Sequence, residues 1–213
     1  MKDVVVVGAR GLGKEVLGYL EQHGNYRILC VLDELAIEQC LDYPVVHPDK
    51  YSDACRDAVL AAGMPEHKRW VLERYAPLHL RWITLIHPSA SVSRSAHIGD
   101  GSIICPQASI TGDAWLGELV LVNISAAVTH DAVVGARSTI FPYGFIAGGA
   151  RLGEDCLVSA GAKVLPGVHV GDRARLGAGA VAHRNVPEDV LVCGNPARTT
   201  FAPKNEPEKA NLS

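Results

Sequence analysis

The sequence predicts an α/β + β protein, a small α/β unit followed by a parallel β-helix, and three observations carry the prediction. The chain opens on a β-branched apolar run stopped by glycines, "DVVVVGARGLG". From Ile86 to Leu176, stepping by six lands on Ile, Leu or Val sixteen times in succession. Glycine recurs every eighteen residues, at Gly99, Gly117, Gly135, Gly153 and Gly171. With 213 residues, 48% of them apolar, the chain has the material for one large or two small cores.

In the first unit, residues 3–9 read as a buried parallel strand, a short β-branched run bounded by glycine. A helix follows from Leu12 to His23, with Val16, Leu17 and Leu20 on one face, and a second strand, "RILCVLD", ends at Asp33. "YPVVH" (43–47) and "DAVLAAG" (57–63) read as further strands, a helix covers 65–76, and a last strand lies near 80–85. This strand, helix, strand order is Rossmann-like, at about half the size of a full dinucleotide-binding fold.

From Ile86 the period changes to six. The residue four after each aliphatic is Ala, Ser, Gly or Cys in fourteen of the sixteen hexads, Val120 and Val168 being the exceptions. A parallel β-helix needs this pattern, because one branched side chain per short strand fills a narrow shaft and a small residue lets the backbone turn. Three hexads complete a triangular coil of eighteen residues, and the glycine period reports the same coil length independently. The expected domains are 1–83 for the α/β unit and 84–200 for the β-helix, with 201–213 as a flexible tail ending in the polar "PKNEPEKANLS".

Composition excludes several functions. Net charge is −3 with no Lys/Arg-rich run, which argues against a nucleic-acid partner. No stretch approaches about 18 uncharged apolar residues, and "MKDVVVVGARG" is too short for a signal core, so a cytoplasmic protein without membrane insertion is expected. Six cysteines lack any C-x-x-C pair and read as reduced, mostly buried thiols.

The coil register singles out one of nine histidines. Residues eighteen apart stack at roughly 4.8 Å, so His130 has Gly112 and Gly148 for neighbours and stands in an open slot. The adjacent column reads Asp113, Asp131, Gly149 and sets a carboxylate beside the imidazole. His97 and His169 share a column with Trp115 and Arg151 and read as surface positions, while His87 shapes the turn at the domain junction. A metal site would need three convergent histidines, and only one lies in the slot, so no metal is expected.

The opening "VVVVGARGLGKEV", the joint "TLIHPSASVS", the unbroken hexads, "NISAAVTHDAVVG" and the closing "VCGNPAR" together resemble the sialic acid O-acetyltransferase-like sugar acyltransferases. Among these the chain is most similar to the nucleotide-aminosugar N-acetyltransferases of bacterial glycan and O-antigen (lipopolysaccharide) pathways. The resemblance implies a left-handed β-helix, a homotrimer, and acetyl-CoA lying along the β-helix between subunits. Its N-x₆-H-[DE] motif falls on Asn123, His130 and Asp131, with His130 the general base and Asp131 raising its basicity. The backbone N–H that polarises the thioester carbonyl falls on Gly148, and further CoA contacts fall on Thr139, Ala160 and Ala178. The nucleotide-linked amino sugar would be held by Arg10, Gly11, Leu12, Asp33, Glu34 and Gly63. Exposed aromatics at Trp115, Phe141, Tyr143 and Phe145 fit the trimer.

The chain departs from this family at three positions. Thr139 replaces a second histidine nine residues after the base, Leu12 replaces a histidine, and Met64 replaces an Asp or Asn. Two rival readings stand beside N-acetylation: O-acetylation of a sialic acid or related sugar, and a non-catalytic sugar-nucleotide-binding protein.

Overall fold

The computed structural model describes residues 1–52 and 55–201, so most of the expected tail lies outside the described residues. Its first part is a six-stranded sheet built from β1 (Lys2–Val7), β2 (Tyr26–Leu32), β3 (Gln39–Cys40), β4 (Tyr43–Val46), β5 (Asp57–Leu60) and β6 (Arg81–Trp82). The strand order is β3-β4-β2-β1-β5-β6, parallel except for the β3–β4 pair. Val4 to Val7 are buried on both faces of β1, which is why this strand reads as an unbroken apolar run. Helices α1 (Gly11–His23) and α2 (Pro65–Arg74) cover opposite faces of the sheet. The strand expected near 80–85 is two elements: β6 closes the sheet, and Leu85–Ile86 starts the coil.

The rest of the chain winds as a parallel β-helix of triangular section, each side built of two-residue strands. The first face contains Ile103–Ile104, Leu121–Val122 and Thr139–Ile140; the second contains Ser109–Ile110, Ala127–Val128 and Phe145–Ile146; the third contains Trp115–Leu116, Val133–Val134 and Arg151–Leu152. Through the hexads each strand pairs with the one eighteen residues on, as Leu121 with Thr139, Ala127 with Phe145 and Val133 with Arg151, and the last rung of the first face pairs sixteen on, Arg175 with Leu191. The hexad aliphatics fill the shaft: Ile104, Val122, Val128, Val134, Ile140 and Ile146 are fully buried. The first coil is the exception, with Ile86 36% exposed and Val92 and Ile98 only partly buried, because nothing stacks beneath it.

The recurrent glycines have a cause other than a special backbone angle. A Cβ on Gly117 would lie 2.7 Å from the Ala136 nitrogen of the next coil, so the corner there is too close for any side chain. The left-handed residue sits instead two places further on in the same corner, as at Leu119, Arg137 and Asp155, and at the matching place of the other corners, as at Asp113, Asp131 and Tyr143. Beyond the hexads, Leu191–Cys193 and Arg198–Phe201 form an antiparallel hairpin that ends the first face. No six-residue step announces it, so the sequence reading omitted it.

The α/β part packs on the first face. Val4, Val16, Leu17 and Leu20 share one apolar cluster with Leu85, Ile103 and Leu121 of the coil. His87 braces this junction, as its place in the sequence implied. Its Nδ1 accepts the Ser89 N–H at 3.1 Å, so the proton resides on Nε2, which donates to Gln22 Oε1 of α1 at 2.9 Å. Tyr19 meets the ring edge-on at 5.3 Å. No helix among the described residues is long and apolar enough to cross a membrane.

Burial, reinforced by the nearby His23, lowers the His87 pKa below its ordinary 6.5. A histidine depressed in this way is neutral when folded and takes up a proton on unfolding. The stability it contributes is therefore present above about pH 6.5 and is lost as pH falls. Thermal unfolding followed from pH 8 to pH 5 is expected to show a flatter decline in His87→Gln than in the wild type. Parallel declines would refute this role.

Candidate active site

His130 occupies the corner between the second and third faces, residues 129–132. Asp131 takes the left-handed conformation (φ +60°), which an aspartate tolerates, and the turn returns its carboxylate to the imidazole. Asp131 Oδ2 lies 2.8 Å from His130 Nδ1, and both side chains are exposed, at 65% and 71%. With Nδ1–H directed at the carboxylate, the Nε2 lone pair faces outward. Rungs on either side hold the backbone: Asp131 N–H donates to Gly112 O at 3.1 Å, and Gly149 N–H donates to His130 O at 2.9 Å.

Gly148 is the floor of this slot. A Cβ there would lie 2.5 Å from His130 Nε2, so only glycine lets the ring lie where it does. On the other side, a Cβ at Gly112 would meet only Ser95 Oγ, at an ordinary contact distance of 3.6 Å. Among the described residues no acceptor engages the Gly148 N–H, which remains available at the surface of the corner.

A second cluster forms at the carboxyl edge of the parallel sheet, where β1, β2 and β5 end. Gly8 turns the chain out of β1 at φ +112°, and α1 begins at Gly11 with no side-chain cap and no acid in its first turn. Free N–H groups at a helix start, without a competing carboxylate, favour an anion such as phosphate. Asp33 Oδ2 accepts the Ala9 N–H at 2.7 Å and Oδ1 accepts the Leu35 N–H at 2.9 Å, which locks this loop and leaves one lone pair per oxygen. Glu34 pairs with Arg74 of α2, whose other arm reaches Asp49. Arg10, Gly11, Leu12, Asp33, Glu34 and Gly63 thus converge on one edge. The sequence reading missed Arg74, and also His67, which lies within electrostatic reach of Asp33 and Arg10. Both sit on a mostly polar helix with no motif to announce them.

Other expected residues lie apart from His130. Asn123 sits at the corner between the first and second faces, buried, with its Oδ1 accepting the Ile124 N–H at 2.7 Å. Ala160 and Ala178 are exposed on that same edge. Thr139 corrects an expectation: it lies on the first face, fully buried, and its hydroxyl donates to Gly63 O at 2.7 Å and accepts from Lys68 Nζ at 2.9 Å. A hydroxyl so enclosed at the junction of α/β part and coil is not offered to a cofactor on the outer surface.

The α/β part covers the first face and the corners on both sides of it, through His87, Leu119 and Phe141. His130 stands on the remaining edge, opposite that face. Within one chain the shaft of the β-helix therefore separates the imidazole from the glycine-rich loop. No group of three or more His, Cys, Asp or Glu among the described residues is arranged to hold a metal ion.

Known proteins share this architecture. Residues 149–184 match the family described as "Bacterial transferase hexapeptide (six repeats)", and residues 130–166 match "Hexapeptide repeat of succinyl-transferase". PerB of Caulobacter crescentus, solved with CoA and GDP-perosamine, superposes with a TM-score of 0.87 at 30% identity, covering 94% of this chain and 98% of that one. The acetyltransferase domain of PglB from Neisseria gonorrhoeae FA1090, solved with acetyl coenzyme A, gives 0.87 at 32% identity, covering 93% and 99%. The chain belongs to the hexapeptide-repeat sugar acyltransferases. UDP-N-acetylbacillosamine N-acetyltransferase of Bacillus subtilis (strain 168) is 32% identical over 111 residues, 49% of this chain. That match spans about half, 51%, of the relative's length.

Within this family the slot geometry makes a sharp prediction for Gly148→Ala. The added methyl must push the imidazole away from Asp131, and acetyl transfer from acetyl-CoA should fall about a hundredfold. Because the corner faces solvent, the melting temperature should stay within a few degrees of wild type. Full activity in this variant would show that the ring position is unimportant.

Proposed function

We propose that the protein transfers the acetyl group of acetyl-CoA to the amino group of a nucleotide-linked amino sugar in bacterial glycan or O-antigen biosynthesis. The observation that carries this reading is the His130 imidazole, aligned by Asp131 over the bare backbone of Gly148. The amine nitrogen attacks the thioester carbonyl, and Nε2 takes the proton that the amine sheds. Asp131 fixes the tautomer and stabilises the imidazolium, while the Gly148 N–H supports the developing oxyanion. When the C–S bond breaks, the departing thiolate takes the proton from the imidazolium, and an amide and free CoA remain. PerB with CoA and GDP-perosamine supports the pairing of substrates, as does the PglB domain with acetyl coenzyme A.

The sugar nucleotide is held at the carboxyl edge of the α/β sheet, its phosphates on the amides at the start of α1. Since that edge and His130 lie on opposite sides of one β-helix, the reaction joins the nucleotide pocket of one copy to the histidine of another. A closed trimer satisfies this for all three copies by symmetry. It also brings the Gly148 edge of one chain beside the Ala160 and Ala178 edge of the next, leaving a groove for acetyl-CoA. Trp115 (44% exposed), Tyr143 (68%) and Phe145 (37%) are apolar surface that such packing would cover.

Two experiments test this. In His130→Ala, kcat for CoA-thiol release with a panel of nucleotide-linked amino sugars and free sialic acids should fall by about two to four orders of magnitude. Release with sialic acids alone would favour O-acetylation, and binding without release across the panel would favour a non-catalytic role. The second experiment co-expresses two inactive variants, His130→Ala and Gly11→Glu, the latter placing a carboxylate where phosphate binds. Randomly mixed subunits should regain about a quarter of wild-type activity if the site is shared between copies. A site contained in one chain would recover none.

A further inference from the structure

The deepest charged group among the described residues is not used by this chemistry. Lys68, in the middle of α2, is 2% exposed, and its ammonium enters the corner between the third and first faces. There Nζ donates to Leu119 O at 2.9 Å, Arg137 O at 3.1 Å, Ser138 O at 3.1 Å and Thr139 Oγ1 at 2.9 Å. Among the described residues, backbone N–H groups do not reach the Leu119 and Arg137 carbonyls. An apolar side chain at 68 would bury these carbonyls unsatisfied, whereas an ammonium satisfies both in one group.

The contact extends beyond the corner. Thr139 accepts from Lys68, and its hydroxyl donates a hydrogen bond to Gly63 O at 2.7 Å. Gly63 follows β5, in the loop that leads into α2 and lies on the edge assigned to the sugar nucleotide. On either side of Lys68, Glu66 pairs with Arg175 at 2.8 Å and Arg69 with Asp155 at 3.3 Å, so α2 is fastened to four successive coils. Burial pushes the Lys68 pKa down, to about 7, with the Asp155 charge opposing. Its place is thus costly, and an interaction only structural would be served as well by an apolar contact elsewhere on α2.

We propose that Lys68 and Thr139 are positioning residues: together they clamp the Gly63–Met64 loop to the β-helix, and so set the nucleotide-sugar pocket at a fixed height on the coil. This rests on the reading of that edge as the sugar-nucleotide site. Neither side chain touches substrate. The clamp acts on the acceptor and leaves acetyl-CoA alone, because Thr139 points from the first face into the α/β part of its own chain while His130 and Gly148 lie on the opposite edge.

The test uses Thr139→Val, which keeps the shape and removes both hydroxyl contacts, Thr139→Ser, which restores them, and Lys68→Met. Two quantities are read: amide hydrogen exchange of the 61–67 segment without ligand, and KM for each substrate. Thr139→Val should exchange faster in this segment and raise KM for the amino-sugar nucleotide about tenfold, with KM for acetyl-CoA and kcat within about twofold. Thr139→Ser should return both to wild type. Lys68→Met should show the same split more strongly, and if it fails to fold, the threonine pair decides alone. Unchanged exchange in Thr139→Val overturns the clamp, as does a rise in both KM values together. A wild-type protein that acetylates no nucleotide-linked amino sugar overturns the functional reading instead, while exchange still reports on the clamp.

Discussion

The eighteen-residue stacking of one coil on the next is the constraint on which everything else depends. Two-residue strands are far too short to hold a sheet alone, so each survives because the ladder continues above and below it. That ladder leaves no freedom in register: a slip by one residue would turn every Ile, Leu and Val out of the shaft. Each such fully buried side chain contributes roughly 1.5–3 kcal/mol over its exposed state, and the shaft holds one per strand. Exposed pairs such as Arg27 with Asp3 are minor beside it. The shaft therefore fixes the height of every corner residue, and a corner residue is free of the shaft. His130 can be an exposed, hydrogen-bonded base because nothing in the core requires it to be anything else.

The same stacking explains why the His130 corner needs the neighbours it has. With columns about 4.8 Å apart, an ordinary side chain at 148 would occupy the space of the imidazole. The one glycine does two things: it admits the ring, and its N–H is left without a partner among the described residues. In contrast, Gly99, Gly117 and their successors serve close approach between coils and carry no chemistry. Identical residues in one period thus have different causes, and only the neighbouring column separates them.

Much of this was legible in the sequence because the interactions involved are periodic. The hexads located the shaft, the faces and the slot at His130, and Asp131 follows it directly in the chain. The glycine loop after β1 and Asp33 after β2 were readable from strand, helix, strand order alone. The Lys68 contacts were not: their acceptors are 51 to 71 residues away, on a surface that exists only after the coil has formed. Thr139 failed for the same reason. Its position relative to His130 suggested a cofactor contact, but outward residues of the first face meet the α/β part, and that docking leaves no local pattern. Asn123 is adjacent to His130 in the motif and one corner away in the fold, since seven residues carry the chain along a full side of the triangle.

The docking of the α/β part on the first face settles a further point about how the site is made. A triangular β-helix has three edges, and the face that carries the α/β part uses two of them. His130, the proposed base, is on the third. Placing it on a used edge would have buried it beneath α1 or α2, where desolvation lowers the pKa of a histidine, as at His87, and weakens it as a proton acceptor. On the free edge the imidazole keeps its exposure, and in the proposed trimer it meets its substrate across a subunit boundary. There the neighbouring copy encloses an otherwise solvated imidazole in a groove, and the clamp proposed for Lys68 and Thr139 sets where in that groove the acceptor arrives.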